Sequence, residues 1–261
     1  MSSVPVTSRP APTGGRLAGA VLAEWTKLRS VRSTWWCVAG AAGSALLFVP
    51  IVGFTLGNNT EVPGNPPTVA VSEVAGMGAA VVQFVLGVLA LLAFTSEYAT
   101  GSIRPTLQAV PSRARLLVAK AVVVGVVTLL TGIVLGAMIT GLAGFSLGDK
   151  GTPPEGGTIR MSLAIGLNFA LVSLLALGIA VLVRRTAGAL TIVFVVLMVV
   201  PATLDLLSLD DLAALLPARA GSQLVGGGTD PYGRVAGAFL LAAWAAAVNL
   251  AGYLQLRRRD A

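Results

Sequence analysis

Polar positions in this chain do not recur every few residues; they gather into short segments between long apolar runs. Six stretches are almost free of charge, at about 34–57, 74–96, 116–145, 161–183, 187–207 and 235–256. The third is interrupted near its start by Lys120, and the fifth ends at Asp205. At ~1.5 Å per helical residue, about 20 residues cross a ~30 Å hydrocarbon core, so each run is long enough and the third exceeds the need. Helices of a soluble bundle would each show a polar face at a 3.6-residue period, and these runs show none. The pattern predicts an all-α, polytopic membrane protein with six transmembrane helices.

Before the first run, residues 16–33 (RLAGAVLAEWTKLRSVRS) have a different period. On a helix Leu17, Val21, Trp25, Leu28 and Val31 share one face, while Thr26, Arg29 and Ser30 point away. This predicts an amphipathic helix lying in the cytoplasmic interface, with Trp25 at headgroup depth and basic residues toward anionic lipid. Glu24 projects within the apolar stripe. A carboxylate there needs a partner, either its neighbour Lys27 or another part of the protein. Residues 1–15, rich in Pro, Ser, Thr and Gly, are expected to be a disordered cytoplasmic tail. The first apolar run starts too deep and is too long for a signal h-region, so no cleavable signal peptide is expected.

Composition agrees: 55% of the 261 residues are hydrophobic and 11% charged, against about 25% charged in soluble domains. The net charge of +7 reflects topology rather than nucleic-acid binding. Of the 18 basic residues, 14 fall on one side: those before span one, those at 104–120, Arg184 and Arg185, and Arg257 to Arg259. The positive-inside bias makes that side cytoplasmic. Both termini, including a basic tail at 257–261, are then cytoplasmic and the six-helix domain occupies 34–256, in the plasma membrane. The single cysteine, Cys37, permits no internal disulfide.

Chemistry is sparse. There is no histidine, no Cys/His cluster, no HExxH and no GxxxxGK[ST], so neither metal, nucleotide nor a Ser-His-Asp arrangement is expected on this chain. It is not expected to be an enzyme by itself. Acidic residues are missing near any bilayer midplane, which disfavours ion-coupled transport. Gln83, Asn168 and Asn249 read as interhelix hydrogen-bonding groups or, alternatively, substrate contacts. Small residues at Gly132/Gly136, Gly40/Ser44, Ala75/Ala79 and Ala242/Ala246 read as helix packing. Residues 146–160 look like a polar connector. The apolar stretch 204–216 predicts a short outer re-entrant element, with Ser208 and Asp211 as a box-like start and Pro217 as the end.

One charged, proline-marked segment remains, EYATGSIRPTLQAVPSRARLLVAK at 97–120. Pro105 can open a short helix running to Val110, presented below the membrane by two spans. It is a docking element or, alternatively, a basic loop that only sets orientation. This segment and LAEWTKLRSVRSTWW (22–36) resemble the membrane-spanning permease subunits of ABC-2 type export transporters. The resemblance implies a subunit that binds no cofactor itself and pairs with a separate cytoplasmic ABC ATPase, which holds ATP and Mg. It also implies a dimer with an identical or sister permease, the path forming between the two. The implied ATPase-coupling residues are Glu97, Gly101, Ile103, Arg104, Pro105, Thr106 and Leu107. The implied interfacial helix carries Glu24, Trp25, Lys27, Arg29 and Arg32. Glu24 and Glu97 are expected to pair with bases among Arg29, Arg32, Arg104 and Arg113. The alternatives are a membrane anchor or assembly subunit and, less favoured, a secondary carrier.

Overall fold

The structure, a computed structural model, describes residues 17–59, 69–101, 112–227 and 231–259. Its elements in chain order are α1 (Leu17–Ser30), α2 (Arg32–Asn59), β1 (Val69–Ala70), α3 (Val71–Ala99), α4 (Arg113–Leu147), β2 (Gly151–Thr152), α5 (Gly157–Val183), α6 (Thr186–Leu206), α7 (Asp210–Ala214), α8 (Pro217–Gly226) and α9 (Arg234–Arg259). The described residues are all-α apart from the two-residue pair β1–β2, and among them α2, α3, α4, α5, α6 and α9 are long and apolar enough to cross a membrane.

Helix α5 is the axis of the bundle. About 78% of its apolar window is buried, against 22% for α6 and for α9. It packs most extensively on α4, then α9 and α3. Small residues set the α4–α5 approach. A Cβ on Gly136 would lie 2.9 Å from the Ser162 carbonyl oxygen, and one on Gly132 would lie 3.0 Å from the Gly166 Cα. Only glycine permits that backbone proximity. Gly40 and Ala246, by contrast, are exposed. Polar side chains within the spans bond between helices: Asn168 Nδ2 donates to Gln83 Oε1 on α3, and Asn249 Nδ2 to the Leu174 carbonyl on α5.

The buried side chains form two apolar clusters. One gathers Leu91, Phe94, Leu117, Leu175, Val181 and Leu256 toward the end of the bundle where α1 lies. The other gathers Val49, Val74, Ile139, Leu147, Met161 and Phe169 toward the opposite end. At that opposite end the 146–160 segment is more than a connector. It holds a 3-10 turn (Gly148–Lys150) and strand β2, which pairs in parallel with β1 through Val69–Gly151 and Ala70–Thr152. Lys150 Nζ also donates to the Gly57 carbonyl at 2.9 Å. These contacts tie the α2–α3 link to the α4–α5 link.

Helix α6 contains one π turn, Val195–Val199, just before Pro201. Proline lacks an N–H and its ring crowds the preceding turn, and a wider turn relieves both. Beyond Leu206 the chain departs from the sequence expectation. Ser208 does not cap α7; Leu209 occupies that N-cap position, with no side-chain bond. Ser208 instead has φ 55° and closes α6. Leu209 N–H donates to the Leu204 carbonyl and Ser208 N–H to that of Asp205, the two bonds of a Schellman motif. Pro217 likewise does not end a helix but opens α8, where its missing N–H costs nothing. Helix α8 buries Ala220, Gly221, Leu224 and Val225 among α3, α5 and α9. Most leucines of the preceding stretch, Leu206 and Leu212 among them, remain exposed.

Candidate functional site

Helix α1 ends at a break. Val31 is non-helical, and Trp35 Nε1 donates across the corner to the Arg29 carbonyl at 3.1 Å. The corner turns α1 back against the first turns of α4, its main contact. The face turned inward carries Ala20 and Glu24, both buried, and half-buried Lys27 and Leu28; Leu17, Leu22, Trp25 and Val31 face outward. Arg29 and Arg32 are exposed. Opposite this face lie Glu97, in the last turn of α3, and Lys120, in the third turn of α4.

These four charges meet. Lys120, 1% exposed and among the largest fully buried side chains of the fold, donates to Glu24 Oε2 at 2.6 Å, Glu97 Oε1 at 2.7 Å and the Ala93 carbonyl at 3.1 Å. An ammonium has three donors, and all three are used. Lys27 donates to Glu24 Oε1 at 2.9 Å and to Glu97 Oε1 at 3.0 Å. Each carboxylate therefore faces both lysines, and three helices meet at one alternating cluster. Buried charges persist only when paired and hydrogen-bonded in this way.

Both sequence readings of Glu24 hold, since it bonds its neighbour Lys27 and the distant Lys120. The choice of base does not. The described ion pairs of Glu24 and Glu97 are with Lys27 and Lys120, rather than with Arg29, Arg32 or Arg113; Arg104, the fourth expected base, lies outside the described residues. Arg113 begins α4 and sends its Nη1 to the Leu256 carbonyl at 2.7 Å. Lys120 lies two turns further in, level with Glu97. Among the expected coupling residues, Glu97 is in the cluster and Gly101 stops α3 with φ 71°, a left-handed position suited to glycine. Ile103, Arg104, Pro105, Thr106 and Leu107 lie outside the described residues, as do residues 1–15.

The end of α3 is held from its other side too. The Arg184 guanidinium lies 5.3 Å from the Tyr98 ring centroid, within cation–π range, and Thr186 Oγ1 donates to Thr95 Oγ1 at 2.8 Å. The last turn of α3, just before residue 102, is thus gripped by α1, α4 and the α5–α6 corner together.

Burial pulls the Lys27 ammonium toward its neutral form, but hydrogen bonds and charges from Glu24 and Glu97 outweigh it and raise its pKa above 10.5. A raised lysine pKa contributes stability that is complete below the unfolded value and lost as pH rises through the folded one. Glu24 on its own helix, Glu97 from α3 and Lys120 from α4 face this group. Thermal midpoints should therefore hold up to about pH 10.5 and fall above it. A Lys27→Met variant, melted across the same range, should show a shallower alkaline fall.

Six apolar spans around a buried axis helix, with one buried cluster of four charges joining α1, α3 and α4, define a multi-pass membrane protein with a linked terminal joint. The chain belongs to the ABC-2 family: the family model described as "ABC-2 family transporter protein" matches residues 20–200. It is thus a permease, the membrane component of an ABC transporter, a class that works with an ABC ATPase. The match runs from α1 well into α6 and takes in all four residues of the cluster. No curated protein matches the chain.

Proposed function

We propose that this chain is the permease subunit of an ATP-driven exporter in the plasma membrane, with both termini cytoplasmic, and that two permeases form the translocation path between them. The 97–115 segment docks on a separate cytoplasmic ATPase, which binds ATP and Mg. The observation that carries this reading is the four-charge cluster at the end of α3. A push delivered to residues 102–111 enters the protein at Glu97. Through Lys27 and Lys120 the same push reaches α1 and α4, so the three elements move as one body. A loop that only set orientation would have no need of a buried joint directly behind it. Spans whose charges lie only toward their ends fit an apolar or amphipathic cargo.

The test is affinity purification of the tagged protein from its native membrane, with and without replacement of Ile103 to Leu107 by Gly/Ser. An ABC ATPase should accompany the natural form and be lost from the replaced form, while both melt at the same temperature. Recovery of no ATPase with either form overturns the reading in favour of an anchor subunit or a secondary carrier.

A further inference from the structure

A groove runs along α3. A hollow of about 410 Å³ is lined by Phe84, Val85 and Val88, with Trp36 of α2 beside them. It adjoins a cleft of about 570 Å³ lined on α3 by Leu89, Leu92, Ser96 and Thr100. Ser33 and Cys37 of α2 line both. Each volume lies in the range of about 300–1,000 Å³ usual for ligand sites. Phe84 and Thr100 are 16 residues apart, about 24 Å at ~1.5 Å per helical residue. One leaflet, half of a bilayer ~40–45 Å thick with its headgroups, has a similar depth. No described residue of the axis helix α5 lines either hollow, and Trp36 is 76% exposed. The groove therefore opens on lipid rather than on the bundle interior.

Its lining changes along that length. Phe84, Val85, Val88, Leu89 and Leu92 make an apolar wall, while Ser30, Ser33, Thr34, Ser96 and Thr100 line the end beside the α1–α2 corner. The ion cluster at this end is neutral, two lysines against two glutamates, so its neighbours set the sign of charge that a ligand meets. Arg29 lies between the lining residues Leu28 and Ser30, and Arg32 between Val31 and Ser33. Both arginines are exposed, and neither forms an ion pair with a described residue. The only carboxylate in residues 1–60 is Glu24, already held by Lys27 and Lys120. Among the described residues the mouth thus carries two uncompensated positive charges. Guanidinium groups take phosphate through paired hydrogen bonds.

We propose that this groove holds one anionic phospholipid from the leaflet in which α1 lies. Its phosphate sits at the mouth, by Ser33, Thr34 and the two arginines, and one acyl chain lies along α3 past Leu92 and Val88 to Phe84. The site belongs to a single copy of the chain and depends on no ATPase partner.

The full-length protein, purified in mild detergent and stripped of lipid, is titrated with phosphatidylglycerol, phosphatidylcholine or glycerol phosphate. Native mass spectrometry counts bound lipid, and N-ethylmaleimide labelling of Cys37, the single cysteine, reports on the groove. One phosphatidylglycerol should bind at concentrations on the order of tenfold lower than phosphatidylcholine, and should slow the labelling. Glycerol phosphate, a head without a chain, should not slow it. Arg29→Gln with Arg32→Gln should bring the two lipids level. Both side chains are exposed, so this variant keeps its fold and decides the question even where the next is unstable. Val88→Trp, which fills the apolar half and removes no charge, should lose both lipids. Equal binding of the two lipids by the natural protein, or labelling unchanged with lipid bound, would overturn the assignment. So would slowing by glycerol phosphate, an undiminished preference in the double arginine variant, or lipid retained by Val88→Trp.

Discussion

Lys120→Met is expected to cost the folded state about 3–5 kcal/mol, the range for removing one partner of a buried ion pair. Methionine fills the volume, so the loss is electrostatic: Glu24 and Glu97 would face each other with only half-exposed Lys27 to separate them. The readout is the yield and thermal midpoint of monodisperse protein in mild detergent, where the variant should fall far below the natural chain. A triple variant, Glu24→Gln, Glu97→Gln and Lys120→Met, removes all three buried charges together. Replacing a whole buried ionic group is often neutral, so the triple variant should recover most of the midpoint. A triple variant as unstable as Lys120→Met would mean that Lys120 acts through packing and not through its charge.

Gly136→Leu is the second large effect, at about 1–3 kcal/mol from overpacking. Its Cβ would press on backbone, the Ser162 carbonyl oxygen at 2.9 Å and the Ser162 Cα at 3.0 Å, and backbone cannot rotate away. Since α4 and α5 form the most extensive helix contact of the fold, the strain would reach the bundle axis. Gly141 on the same helix meets nothing within 4 Å. Gly141→Leu should stay within about 0.5 kcal/mol of the natural protein. The pair is compared by thermal midpoint under identical conditions, and equal midpoints would refute the close-approach account.

The six spans were legible because a membrane demands long uninterrupted apolar runs, a requirement that hydropathy alone expresses. The joint was half legible. Glu24 drew attention as a carboxylate on an apolar stripe, and Glu97 as an acid at the end of a span. Lys120 passed as one more orienting base, although a lysine inside LLVAKAVVV needs a buried partner. The basic side of the chain offers only three carboxylates, Glu24, Glu97 and Asp260, and weighing that short supply would have pointed to the right pairs. The Schellman turn at Ser208 was less accessible. Glycine or asparagine usually holds that position, while serine three residues ahead of an acid is a stronger signal for a helix start. Strands β1 and β2 are two residues each, too short to leave any alternation to read.

The four charges of the joint sum to zero in formal charge, two lysines against two glutamates. A single elementary charge carried across the membrane field exchanges about 2.3 kcal/mol with it per 100 mV. A neutral quartet that shifts as one body exchanges almost none. Under the proposed coupling, the joint itself therefore adds no voltage dependence to a shift of α1, α3 and α4.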